Sequence, residues 1–433
     1  MDSDAPSGAG EPAIGMKTRY SGRSDFTRRN RIMTQQIGRS DAETELALIA
    51  YRGDEVAPIA LEEYGARLHR ARQQMAEQDI DVLLLTASSN LSYFTGVDWH
   101  PSERFFGALI FRDRPTLYVV PAFEAPRLAA MLAEEAPMLL WEEGADPYAL
   151  VRDALTEVAL ARGAIALDEQ APYFVADHLA RQLNGATLHP ATPITAVCRM
   201  CKSPSEIAII RHAMALTLVV QRHAARILRA GISASEVVAF IDTAHRKIAG
   251  HPSTFCIVSF GEATAYPHGG GAGQSLQEGD MVLIDTGTCL HGYHSDITRS
   301  YVFGVPSERQ RTIWAIEKEA QAAAFAAARP GVPCEAVDQA ARQVLEAHGL
   351  GPGYAVPGLP HRTGHGLGLD IHEHPYLVEG NRTPLAPGMC FSNEPMICIY
   401  GEFGVRLEDH FYMTAEGPCW FTEPAKALDA PFP

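Results

Sequence analysis

The apolar run Met281 to Ile284 ends on Asp285, and a carboxylate buried at the end of a strand is costly unless it is paired or holds a metal. Asp296 follows eleven residues later, beyond the turn Leu290–Tyr293, so a hairpin would set the two carboxylates side by side. Two aspartates on a hairpin are ordinary. Three later segments alter the reading, because each places a potential ligand beside glycine or proline, or on a strand able to close on the same point. They are Gly364-His365-Gly366, Asn393-Glu394-Pro395 and Arg406-Leu407-Glu408. Asp285, Asp296, His365, Glu394 and Glu408 together offer four carboxylates and one imidazole. That mainly oxygen set suits hard or borderline divalent cations, Mn²⁺ first, with Co²⁺ or Zn²⁺ as alternatives. It can bridge two metals about 3.5–4 Å apart, an arrangement whose chemistry is hydrolysis.

Other candidates carry less weight. Arg406 stands two residues before Glu408, so on a strand it shares that face and either binds a substrate carboxylate or orients an acidic neighbour. His374 and His410 lie close to the motifs without an assignable role. The glycine-rich Gly269–Gly273 run lacks the Lys-Ser/Thr of a phosphate loop and leads into a strand, so it reads as a flexible turn. Cys198 and Cys201 form a C-x-x-C with no second pair or nearby histidine to complete a zinc site, which leaves two structural thiols.

Positioning these residues is the task of the elements around them. From Ser203 the chain reads as a helix start: serine caps, Pro204 takes the first position, and Glu206 completes a capping box. Ile207, Ile210, Met214 and Leu218 then follow helical spacing. The segment Ala230 to Gly250 has a counterpart in Pro330 to Gly349, an internal repeat. Each copy closes a helical hairpin, Pro204 to Ala249 and Ser307 to His348, and is followed by strands. Residues 203–433 therefore read as an α+β domain of two similar halves related by a pseudo-two-fold, with a cleft between them. Ahead of it, helix-like Glu62–Gln78 and the strand-like runs Val82–Leu85, Ala108–Phe111, Leu117–Val120 and Ala164–Leu167 alternate, which predicts a smaller α/β domain over 45–200. Residues 1–40, rich in Gly, Ser, Asp and Arg, bury too little to offset ordering entropy and read as a disordered tail.

Composition narrows the function classes. A formal charge of −16, with no basic stripe in the folded region, argues against nucleic-acid binding. No apolar run reaches the roughly 18 residues a membrane span requires. Eight scattered cysteines, several in apolar strand-like runs, suit a reducing cytoplasm.

In the order and spacing of its five ligand segments, the chain resembles the pita-bread metallopeptidases, which include prolidase and aminopeptidase P, with creatinase as a metal-free relative. The resemblance is strong over residues 203–425. Over 61–200 it is weaker, carried by Asn90–Gly96, which is similar to a turn of the creatinase-type N-terminal domain. It implies that Asp285 chelates one metal, that His365 and Glu394 chelate the other, and that Asp296 and Glu408 bridge them. No ligand position is substituted, which disfavours both metal-free chemistry and a dead scaffold recruited for binding. The resemblance also implies substrate or catalytic roles for His268, His361 and His372. The expected reaction is hydrolysis of Xaa-Pro bonds by a metal-bridging hydroxide, with Glu394 as general base, in a homodimeric dipeptidase. Aminopeptidase P activity and small-molecule C–N hydrolysis are the alternatives. A dipeptidase needs a capped cleft, and the N-terminal domain or a partner subunit's Trp99–Pro101 loop is the expected cap. At Arg362-Thr363 the chain departs from better-known prolidases, which carry small or apolar residues there.

Overall fold

The structure, a computed structural model, describes residues 37–271 and 273–432; most of the expected tail therefore lies outside the described residues. Residues 37–40 do not extend that tail. Gly38 and Ser40 donate their backbone N–H groups to the carbonyls of Ala225 and Arg226, and Ile37 packs on the core of the C-terminal half. The helix Ala42–Ala47 follows the same course: Glu45, fully buried, accepts at 2.6 Å from the His223 ring and pairs with Arg226 at 3.0 Å. Ile49 and Ile59 join the same core, so the α/β unit begins at Leu61 rather than at residue 45.

That unit is a six-stranded mixed sheet. Its strands are β1 (Val82–Leu85), β2 (Gly107–Phe111), β3 (Leu117–Pro121), β4 (Met138–Trp141), β5 (Ala164–Leu167) and β6 (Thr187–Pro190), in the order β4-β3-β2-β1-β5-β6. Leu83 and Leu85 of β1 pack on one face with Met75 and Phe94, while Val82 and Leu84 pack on the other with Val151, Leu155 and Leu179. Burial on both faces is why this strand reads as an unbroken apolar run.

The C-terminal half begins with the expected capping box, in which the Ser203 hydroxyl accepts from Glu206 N–H at 3.2 Å and Ser203 N–H donates to the Glu206 carboxylate at 2.8 Å. Helices Pro204–Arg226 and Ala234–Ala249 form one hairpin, Glu308–Ala327 and Cys334–Ala347 the other. After the first come β7 (Phe255–Phe260), β8 (Met281–Gly287), β9 (Cys289–Leu290), β10 (Tyr293–His294) and β11 (Ile297–Val302). After the second come β12 (Gly364–Gly366), β13 (Glu373–Leu377), β14 (Cys390–Asn393), β15 (Met396–Ile399), β16 (Phe403–Arg406), β17 (Asp409–Met413) and β18 (Pro418–Trp420). They build a three-stranded sheet β11-β8-β7, a five-stranded sheet β13-β12-β14-β17-β18, and the hairpins β9–β10 and β15–β16.

The repeat extends to individual hydrogen bonds. Gly231 N–H donates to Leu276 O at 2.8 Å and Leu276 N–H returns one to Ile232 O at 2.9 Å; Gly331, Leu385 and Val332 make the same exchange at 2.8 and 2.9 Å. Both glycines are left-handed, at φ 83° and 82°, a conformation that side chains disfavour. Each hairpin is thereby tied to the segment that leads into a strand of its own half, β8 or β14, by one device used twice.

Candidate metal centre

The first two acids come from the three-stranded sheet. Asp285 on β8 faces Thr298 of β11, and Asp296 stands two residues before Thr298, so the carboxylates are diagonal neighbours on one face. Between them, β9–β10 turns through His291 and Gly292 at φ 48° and 85°, the doubly positive pair of a type I′ turn. The five-stranded sheet brings His365 on β12 and Glu394 at the end of β14, while Glu408 lies between β16 and β17. A Cβ on Gly364 would stand 2.1 Å from Ser392 O, so the approach of β12 to β14 depends on glycine. Ser392 then uses its hydroxyl twice, accepting from His365 N–H at 2.8 Å and donating to Glu394 at 3.0 Å.

All five acids and imidazoles converge. His365 Nε2 lies 3.0 Å from Glu394 and 3.7 Å from Asp296. Its Nδ1 lies 3.0 Å from Gly366 O, which can only accept, so Nδ1 carries a ring proton and Nε2 is the atom turned toward the carboxylates. Thr298 donates its hydroxyl to Glu408 at 2.6 Å. One oxygen each of Asp285, Asp296 and Glu408 is buried without a hydrogen-bond partner. Burial, then the charge of Glu408, pushes Asp296 well above the ordinary carboxylate range; burial, then Glu394, does the same to Glu408. Burial also raises Glu394, but the neighbouring His365 outweighs it and holds that carboxyl below its usual value. Four buried acids against one arginine leave anionic charge and orphaned oxygens, and divalent cations fit that donor set.

The arginine in direct contact with these acids is Arg406. Its Nη2 pairs with Asp285, its Nε donates to Thr298 Oγ1 at 3.0 Å and its Nη1 donates to Pro267 O at 2.9 Å. Each nitrogen is engaged by the protein, so the residue orients Asp285. His410 was left without a role by the sequence, yet it is fully buried, and its ring offers an atom within 4.8 Å of ligand atoms of Asp296, His365 and Glu408. Burial holds its imidazole well below the ordinary value, hence neutral. Its place two residues after Glu408, at the start of β17, is the signal that would have found it.

A cavity of about 920 Å³ opens over the centre, and Asp285, Asp296, His365, Glu394, Glu408, Arg406, His268, His361 and His372 all line it. His268 and His372 are exposed at its wall; His361 is half-buried, with Nδ1 at 2.7 Å from Arg362 O. Among the described residues, all that line it lie at or beyond Phe255. Trp99 is buried in its own domain, stacked on Phe106 at 4.4 Å. All eight cysteines are free, and burial pushes the Cys198 thiol up to about 11, far from a reactive thiolate. Among the described residues, no helix is long and apolar enough to cross a membrane.

Comparison with known proteins identifies the family. Residues 208–415 match metallopeptidase family M24, and residues 67–201 match the creatinase/prolidase N-terminal domain. An Xaa-Pro dipeptidase of Lactobacillus helveticus is 31% identical over 83% of this chain and 98% of its own length. A probable dipeptidase PepE of Mycobacterium tuberculosis is 36% identical over 82% of this chain and 93% of its own. Among solved structures, dipeptidase PepE from Mycobacterium ulcerans superposes with a TM-score of 0.80 at 34% identity, covering 86% of this chain and 99% of that one. A prolidase from Thermococcus sibiricus reaches 0.77 at 29% identity, over 83% and 97%. With its buried donor set, its repeat-built catalytic half of pita-bread type and its creatinase-type N-terminal domain, the chain belongs to metallopeptidase family M24.

Proposed function

We propose that the protein is a metal-dependent dipeptidase that hydrolyses Xaa-Pro bonds. One observation carries the reading: five metal-type donors and three histidines line a single cavity, in a chain aligned over nearly the full length of an Xaa-Pro dipeptidase. Asp285, Asp296, His365, Glu394 and Glu408 would hold two divalent cations; the oxygen-rich set favours Mn²⁺. Cations so held supply a lowered water pKa and a polarised carbonyl. Glu394, kept ionised beside His365, is placed to take a proton as general base. His268 and His372 on the cavity wall donate toward the oxyanion and the leaving nitrogen, and His361 helps to seat the substrate. Arg406 acts through Asp285.

Because, among the described residues, nothing from the N-terminal domain of the same chain lines the cavity, the cap that limits substrate length comes from a second subunit. The working form is accordingly a homodimer, and its free thiols suit the cytoplasm. The reading is tested by turnover of Ala-Pro, Leu-Pro and an Xaa-Pro-Xaa tripeptide with Mn²⁺, Co²⁺ or Zn²⁺, and by light scattering. Dipeptide cleavage by a dimer is expected. Tripeptide preference would move the assignment to an aminopeptidase, and inactivity on all three to a small-molecule C–N hydrolase.

A further inference from the structure

Two arginines line the cavity, and they differ in what they have left to offer. The Arg406 guanidinium is committed to Asp285, Thr298 and Pro267. Arg362 is half-buried, and among the described residues its guanidinium has no carboxylate or hydrogen-bond partner; its recorded contact is with the face of Tyr376, 4.4 Å from the ring centroid. Such stacking orients a guanidinium while leaving its N–H fork free for an anion.

The backbone around Arg362 is fixed from both sides by the helix Cys334–Ala347. Arg342 donates to His361 O at 2.5 Å and to Gly353 O at 2.7 Å. Asp338 accepts from Thr363 N–H at 2.9 Å and from the Thr363 hydroxyl at 2.7 Å, and is itself tied to Arg342 Nε at 2.8 Å. A rigid frame therefore presents an uncommitted cation to the cavity. The other charged groups of that lining, histidines aside, are four carboxylates and the committed Arg406, so an anionic substrate group has one cation to meet.

Resting on the dipeptidase reading, a dipeptide bound with its scissile carbonyl at the metal centre carries one carboxylate, a few bonds away on the leaving residue. We infer that Arg362 binds the C-terminal carboxylate of the substrate and sets the preference for free dipeptides over C-terminally blocked ones. The departure at this position is then a specificity determinant.

The experiment compares wild type, Arg362→Ala and Arg362→Lys, all loaded with Mn²⁺, on Ala-Pro, Leu-Pro and Leu-Gly and on the C-terminal amide of each. Wild type should favour acids over amides. Arg362→Ala should raise KM for the acids by about ten- to a hundredfold, the worth of a hydrogen bond to a charged group, while kcat moves less than about threefold. Amide turnover should be unchanged, which also reports an intact fold, and Arg362→Lys should keep part of the acid preference. Equal losses on acids and amides, or no loss on either, overturn the inference and leave the dipeptidase reading standing. Cleavage of Leu-Gly but not the proline dipeptides removes proline specificity, while the Leu-Gly acid–amide pair still decides Arg362. No cleavage of any dipeptide removes both.

Discussion

Replacing Glu373 by Gln probes how the two domains are fastened beside His372. Glu373, buried at the start of β13, accepts from Arg199 Nη2 and from Lys202 Nζ, both donors lying in or just beyond the last helix before the catalytic half. Arg199 reaches Asp370 as well, at 2.9 Å, and Ser89 Oγ at 2.9 Å. The side chains of Lys202 and Arg199 are only 1% and 7% exposed, so Glu373→Gln leaves a buried ammonium without an acid and turns an amide NH₂ toward a cation. Removing one partner of a buried pair costs about 3–5 kcal/mol. Burial raises the Glu373 carboxyl, but Lys202 and Arg199 outweigh it, and the group is held below its ordinary value. A depressed folded-state pKa contributes stability that is fully present above the unfolded value, about 4.3, and is lost as pH falls through the folded one. Urea unfolding followed by tryptophan fluorescence should therefore show the variant about 3–5 kcal/mol weaker at pH 7, with a flatter loss on acidification below pH about 4. Adding Lys202→Met should restore part of the loss, because the uncompensated charge is gone. A Glu373→Gln protein within about 1 kcal/mol of wild type, or a double variant worse than the sum of the singles, would refute this account of the triad.

Three further outcomes are expected. Glu408→Ala should abolish Mn²⁺ binding, read by calorimetry, together with peptide turnover; full turnover in that variant would sink the ligand assignment. Arg406→Lys should weaken metal affinity by roughly ten- to a hundredfold, since one ammonium cannot serve Asp285, Thr298 and the Pro267 carbonyl together. Unchanged affinity would count against an orienting role. Gly364→Ala should lose at least about 1–3 kcal/mol in thermal unfolding and also bind metal more weakly, because a methyl 2.1 Å from Ser392 O must push β12, and His365 with it, away from β14.

How much of the centre was legible varies residue by residue. Asp285 announced itself because an acid closing an apolar strand has few innocent explanations, and Glu206 because a capping box is a local pattern. His410 was missed, although its spacing from Glu408 was visible, since a lone histidine after a ligand has no local signature. Its significance lies in its burial beside Asp296, His365 and Glu408, residues that β17 alone does not supply. For Arg406 the two readings had equal standing until Thr298 and Pro267, more than a hundred residues earlier, were found to hold it. The segment 37–59 was misplaced because nothing in its composition reveals that Glu45 and Ile49 pack against a helix near residue 223.

By itself the sequence determined the donor set, the helix starts and the repeat, because each depends on residue identity at short or regular spacing. Only the tertiary structure decided which side chains are spent and which are free. That distinction separates Arg406 from Arg362, and it arises from contacts between residues far apart in the chain, whose pairing no local pattern encodes.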